Sequence, residues 1–196
     1  TPEFVKGITD IAYDDRNFAD VITGPLTKIK FKIKDMIENN KFFLITGNSV
    51  DLFGKSLIEN NEKHKLLGIF KYDVTRTEKR IVNDSLFIKD ENELVIGFQN
   101  QSSYMSEVKY PLFKCVVGFG TNNEFEGIHY KNFYGTYLIG PLLVRNPNFF
   151  KEFFKQLILS KDPNYKFKEF DLNLETKAYD EFVSLHYNKY KKSASN

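Results

Sequence analysis

Apolar residues in this chain fall mostly into short continuous runs separated by polar turns, and toward the C-terminus they recur every three to four positions. Short runs bounded by Gly, Pro, Asn and Asp predict strands, and a spacing near 3.6 predicts amphipathic helices. Residues 41–46 (K-F-F-L-I-T) form one such run and suit a strand covered on both faces. The run leads straight into Gly47-Asn48-Ser49, after which Val50, Leu52, Phe53, Leu57 and Ile58 follow at helical spacing. Strand, tight turn and helix in that order make an elbow, the shape that exposes a nucleophile at the top of an α/β sheet. An ordinary βα turn has the same pattern, because such turns are short and common.

The aromatic run 133–139, closed by Gly140-Pro141, predicts a buried strand that hands its last residue to a loop. Ends of such strands are where sites sit in α/β folds. Further strands are expected at 4–13, 66–75 and 110–117, with a loop over 60–65. Runs 80–88 and 93–99, joined by Asp90-Glu91-Asn92, predict a hairpin. A helix is expected over 26–39, its lysine-rich face read as solvated surface. After Pro147, Phe149, Phe150, Phe153, Phe154, Leu157 and Ile158 mark one face of an amphipathic helix that Asn146 could cap. The last helix covers 172–190.

At 196 residues and 41% hydrophobic content the chain can bury one sizeable core, so a single domain over 1–196 is expected. The 28 basic and 26 acidic residues leave a formal charge of +2, which argues for neither nucleic acid nor membrane insertion. No apolar run reaches the roughly 20 residues that span a bilayer. Cys115 is the single cysteine, which excludes an intrachain disulfide and fits a reducing, cytoplasmic setting. Its place inside a strand makes it a small buried hydrophobe rather than a nucleophile.

His64 falls in a charged loop and His186 on the last helix, both surface positions, and His129 is expected to pack or join a polar network. These residues are dispersed, so neither a metal site nor a cofactor is expected, and no phosphate-binding or dinucleotide glycine motif occurs.

The stretch E-G-I-H-Y-K-N-F-Y-G-T-Y-L-I-G-P-L-L-V-R-N-P, residues 126–147, resembles the histidine-bearing strand of class I glutamine amidotransferases. The resemblance is to the cobyric-acid-synthase-like branch, and within it to the GatD-type glutaminase subunits, where the strand reads roughly G-T-Y-L-H-G-P-L-L-P-K-N-P. It implies an α/β fold: a three-layer, flavodoxin-like sheet flanked by helices, with an extra antiparallel hairpin. The family's first strand, helix and second strand have no counterpart before Thr1 beyond a remnant, so that end is expected to be missing or diverged.

Carried over residue by residue, the family's catalytic histidine falls on Ile139. Its elbow, roughly I-C-G-G-Y-Q-L-L-G-K, aligns through the closing pair with Gly54-Lys55 and puts the nucleophilic cysteine on Gly47, with Thr46 and Ser49 as the nearest hydroxyls. The segment G-F-E-N-H-G-G-R-T becomes G-F-Q-N-Q-S-S-Y-M, so Tyr104 replaces an arginine that the family associates with substrate glutamine. Asn100, Gln101, Tyr104, Gly135 and Thr136 are the substrate-pocket equivalents. The glycine-rich oxyanion turn corresponds to residues 11–16, which contain no glycine.

Four separate replacements imply a degenerate, non-catalytic scaffold serving as a binding or assembly subunit. By resemblance, its partner would be a Mur-ligase-like protein of the MurT type, and a small molecule could occupy the altered pocket. The alternative is an active glutamine-hydrolysing subunit with a rebuilt site on Thr46 or Ser49, supplying ammonia for amidation of the lipid II stem peptide.

Overall fold

A computed structural model describes residues 25–90, 93–121 and 124–191, with side chains from Lys28 to Tyr190. The strand expected over 4–13 and the oxyanion-equivalent segment 11–16 lie outside the described residues. Helix α1 (Pro25–Glu38) buries Ile33 and Ile37, four apart on one face, and ends at Asn39-Asn40 with Asn40 at φ 57°.

Strand β1 (Phe43–Thr46) and the 3-10 helix Gly47–Phe53 follow, then β2 (Ser56–Glu59) and β3 (Glu62–Lys65). The long strands β4 (Asp73–Lys89) and β5 (Glu93–Ser106) come next, then β6 (Phe113–Val117), β7 (Phe125–Glu126), β8 (Ile128–Tyr130) and β9 (Phe133–Thr136). Three helices follow: α2 (Leu142–Arg145), α3 (Pro147–Leu159) and α4 (Asn173–Lys191).

Two sheets form. In the smaller, β1 pairs in parallel with β9, Phe43 opposite Phe133 through Thr46 opposite Thr136, and β8 runs antiparallel on the other side of β9. All four β9 residues are buried, as a continuous apolar run with cover on both faces requires. In the larger, the order is β3-β2-β4-β6-β7, with β5 also paired to β4; β2 and β4 are parallel and the remaining pairs antiparallel.

Alternation along the β4–β5 hairpin sets the layers. Phe87 lies opposite Val95, and both join a core with Phe113, Tyr134, Leu138 and the α3 residues Phe149 and Phe153. Leu86 opposite Ile96, and Ile88 opposite Leu94, pack instead with Val183 and Tyr187 of α4. Successive side chains point to opposite faces, so one ladder serves two cores. A third core joins α1, β1, β9 and the 3-10 helix through Ile33, Ile37, Phe53, Phe133 and Tyr72. The architecture is therefore mixed α/β, sheets flanked by helices, with the antiparallel hairpin as its longest element.

Four local expectations are corrected. The helix read through Leu57 and Ile58 is a 3-10 helix ending at Phe53, because Ser56, Leu57 and Ile58 pair with Asp73, Val74 and Thr75 of β4. The loop expected over 60–65 contains β3: Asn60 and Asn61, at φ 50° and 63°, form the two-residue turn of a hairpin with β2. The strand expected from Leu66 begins only at Asp73, since the amides of Leu67, Gly68, Ile69 and Phe70 donate to carbonyls of Leu52, Gly54 and Phe53. Asn146 does not cap α3 through its side chain; it accepts from Ile96 N (2.7 Å) and donates to Ile96 O and Leu142 O (both 2.8 Å).

Candidate functional site: the elbow after β1

Extended backbone at Thr46 (φ −120°, ψ 153°) gives way at Gly47 to φ 66°, a left-handed conformation that disfavours residues bearing a Cβ. This reversal turns β1 into the 3-10 helix and makes the elbow sharp. A Cβ placed on Gly47 would lie 3.1 Å from Cγ2 of Ile139. Parallel pairing of β1 with β9 brings the two positions together, because the strands end side by side and each chain then turns over the same edge. Ile139 is fixed there by donating its amide to Phe98 O at 3.0 Å, next to the bridge between Leu138 and Gln99.

Thr46 is half-buried opposite Thr136, and Ser49 is buried in the 3-10 helix. All three histidines have other neighbours: His129 stacks on Tyr134 at 4.2 Å, His64 lies 3.7 Å from Glu62, and His186 packs against Phe182.

Beneath the elbow lies a buried polar network that sequence reasoning missed. The Asp51 carboxylate accepts hydrogen bonds from the Ser103 hydroxyl and from Tyr137 OH (2.7 Å), and Tyr72 OH donates to Val50 O at 2.6 Å. Burial and the Asp51 charge push the phenols of Tyr72 and Tyr137 well above their usual range, so both remain donors. Glu126 accepts from Thr136 Oγ1 (2.7 Å) and Tyr137 N (2.6 Å). Full burial pushes its carboxyl up to about 7, against the lowering effect of those two bonds. The signal for Asp51 was one carboxylate inside the apolar run V-D-L-F, a residue type almost never buried without partners.

The pocket-equivalent residues divide. Gln101 is buried, accepting from Gln99 Nε2 (2.9 Å) and donating to Ser103 O (2.7 Å). Tyr104 packs edge-on against Phe119 at 5.9 Å, and the two line, with Gln101, Glu126 and Tyr137, a cavity of only about 10 Å³. Asn100 accepts from Arg80 Nε on the exposed side of the hairpin. Gly135 and Thr136 are enclosed within β9; a Cβ on Gly135 would come 2.7 Å from Val50 Cγ2. The structure brings Gly47 to Ile139 and Gln101 to Tyr104, and engages Thr136 with Glu126.

Among the described residues, one trio of carboxylates, Asp90, Glu93 and Glu152, is close enough to share a cation. Lys89 Nζ already sits among them, at 2.6, 3.3 and 2.6 Å. Cys115 is half-buried, and burial raises its thiol, so it has no thiolate character near neutral pH. No described helix is long and apolar enough to cross a membrane.

No family model matches the chain. Two curated proteins do resemble it, both named lipid II isoglutaminyl synthase (glutamine-hydrolyzing) subunit GatD. The Streptococcus pneumoniae protein is 33% identical over 135 residues, covering 65% of this chain and 52% of its own length. The Staphylococcus aureus protein is 30% identical over 159 residues, covering 80% of this chain and 65% of its own length. This chain thus spans about half to two-thirds of the length of the relatives it matches, and it is close in sequence to these GatD subunits.

Proposed function

We propose that this chain is a catalytically silent GatD-like subunit, whose amidotransferase scaffold serves binding and assembly with a Mur-ligase-like partner of the MurT type. The supporting observation is the 3.1 Å approach between the Gly47 Cβ direction and Ile139. Glutamine hydrolysis through an acyl-enzyme needs an atom to attack the amide carbon and a base to take its proton. The two positions that face each other across the elbow supply a hydrogen and a methyl group. Tyr104, turned onto Phe119, offers no planar cation to a carboxylate. A scaffold without chemistry can still act by mass action, since a subunit that binds only the folded partner stabilises it.

The test is ammonia release from glutamine by the purified chain, alone and with a co-expressed Mur-ligase-like protein. No release above the protein-free rate, together with co-purification and a raised melting temperature of the partner, is the expected result. Release that disappears in Thr46→Val or Ser49→Ala would reject the proposal. It would favour instead an active subunit with a rebuilt site, the reading to which the half-buried Thr46 hydroxyl at the strand end lends support.

A further inference from the structure

At the opposite end of β1 and β9 from the elbow, a groove of about 310 Å³ opens between α1, the 69–72 loop, the turn after β5 and β8. That volume is at the lower end of the range for small-molecule sites, roughly 300–1,000 Å³. Its walls are aromatic. Tyr110 and Tyr130 lie 5.4 Å apart and 35° from parallel, and Phe70 meets Tyr130 edge-on at 6.1 Å. Tyr110 keeps 41% of its surface exposed.

Charge on the rim is unbalanced. Glu38 is held by Lys131 at 2.7 Å, and its carboxyl is lowered by that bond. Counting Lys131, the ammonium groups of Lys34, Lys71, Lys109 and Lys131 face, among the described residues, only the carboxylates of Glu38 and Glu107. Lys109 Nζ lies 5.0 Å from the Tyr110 ring centre, so a cation and a π-face are offered side by side.

We propose that this groove is a binding site for a planar aromatic anion of mononucleotide size. The ring would lie against Tyr110 and Phe70, and its phosphate would be met by Lys34, Lys71 and Lys109. Stacking on an aromatic face is tolerant of ring identity, and ammonium groups meet phosphate as point charges, so the site selects ring-plus-anion rather than a particular base. Tyr72 alone both lines the groove and joins the network beneath the elbow, through its hydroxyl on Val50 O; none of the residues proposed to meet the ligand does, and the proposal stands whether or not the chain hydrolyses glutamine.

The probe is AMP, titrated into the ¹⁵N-labelled chain, with adenosine and ribose 5-phosphate as half-ligands. Shifts confined to the amides of 34–38, 69–72, 107–110 and 128–131, with AMP binding at least about tenfold more tightly than either half-ligand, are expected. Tyr110→Ala and Lys109→Glu, both at exposed positions, should each weaken AMP by about tenfold or more without changing the melting temperature. The proposal is overturned if AMP gives no saturable shift at millimolar concentration. Shifts elsewhere, ribose 5-phosphate binding as tightly as AMP, or unchanged AMP affinity in both variants would overturn it equally.

Discussion

The two ends of the β1–β9 pair are built on opposite principles. At the C-terminal end, Asp51, Tyr137, Ser103, Glu126 and Thr136 are buried and hydrogen-bonded, and Gly47 and Ile139 close the edge without a polar side-chain atom. At the N-terminal end, Tyr110, Lys71 and Lys109 remain in contact with water beside the groove. A donor or acceptor already matched inside the protein has little left to give a ligand, because breaking that match costs about 1–3 kcal/mol. The same strands therefore carry one end committed to holding the fold and another with unspent recognition surface.

Substitutions at the elbow end should therefore cost stability, and those at the groove end should not. The largest effect is expected for Asp51→Ala, which leaves the Tyr137 and Ser103 hydroxyls without their acceptor and should lower unfolding free energy by about 3 kcal/mol in urea denaturation. Asp51→Asn, which keeps an acceptor, should lose less.

Next comes Glu126, whose effect depends on pH. Its folded carboxyl, at about 7, binds a proton more readily than the ordinary value of 4.5. The folded state therefore holds more protons between those values, and stability falls as pH rises through about 7. The total loss should be about 3 kcal/mol by alkaline pH, and Glu126→Gln should abolish it. Equal slopes in parent and variant over pH 5–8 would show that Glu126 is not the titrating group.

Gly135→Ala should cost about 2 kcal/mol, because the added methyl meets Val50, Phe133 and Ile128 within 3.0 Å in a closed core. The smallest change is expected for Tyr110→Ala at the groove: within about 0.5 kcal/mol in the same denaturation, as for an exposed position. A cost of 2 kcal/mol there would mean that Tyr110 holds the fold, and the comparison between the two ends would fail.

Much of this was readable from residues alone. The run 41–46, the hairpin about Asp90 and the phenylalanine face after Pro147 all rest on local periodicity, which survives folding when the element packs on one or two apolar faces. Gly47 and Ile139 were singled out separately, by motifs more than ninety positions apart, and their closeness past the end of the β1–β9 pair comes from the structure. What escaped was set by partners distant in sequence. Leu57 and Ile58 lie at helical spacing from Phe53, but β4 offered them a ladder, and tertiary pairing overrode a weak local preference. Asn60-Asn61 was a legible hairpin signal that a loop reading passed over. The polar network could not be foreseen, because nothing local says that Asp51, Ser103 and Tyr137 converge.

The alternation at Leu86, Phe87 and Ile88 means that α3 and α4 consult different letters of the same strand. A change at Leu86 or Ile96 is felt by α4, and a change at Phe87 or Val95 by α3 and the small sheet. The helix at the chain's end can thus be remodelled, or traded for another covering, with the elbow's surroundings left in place.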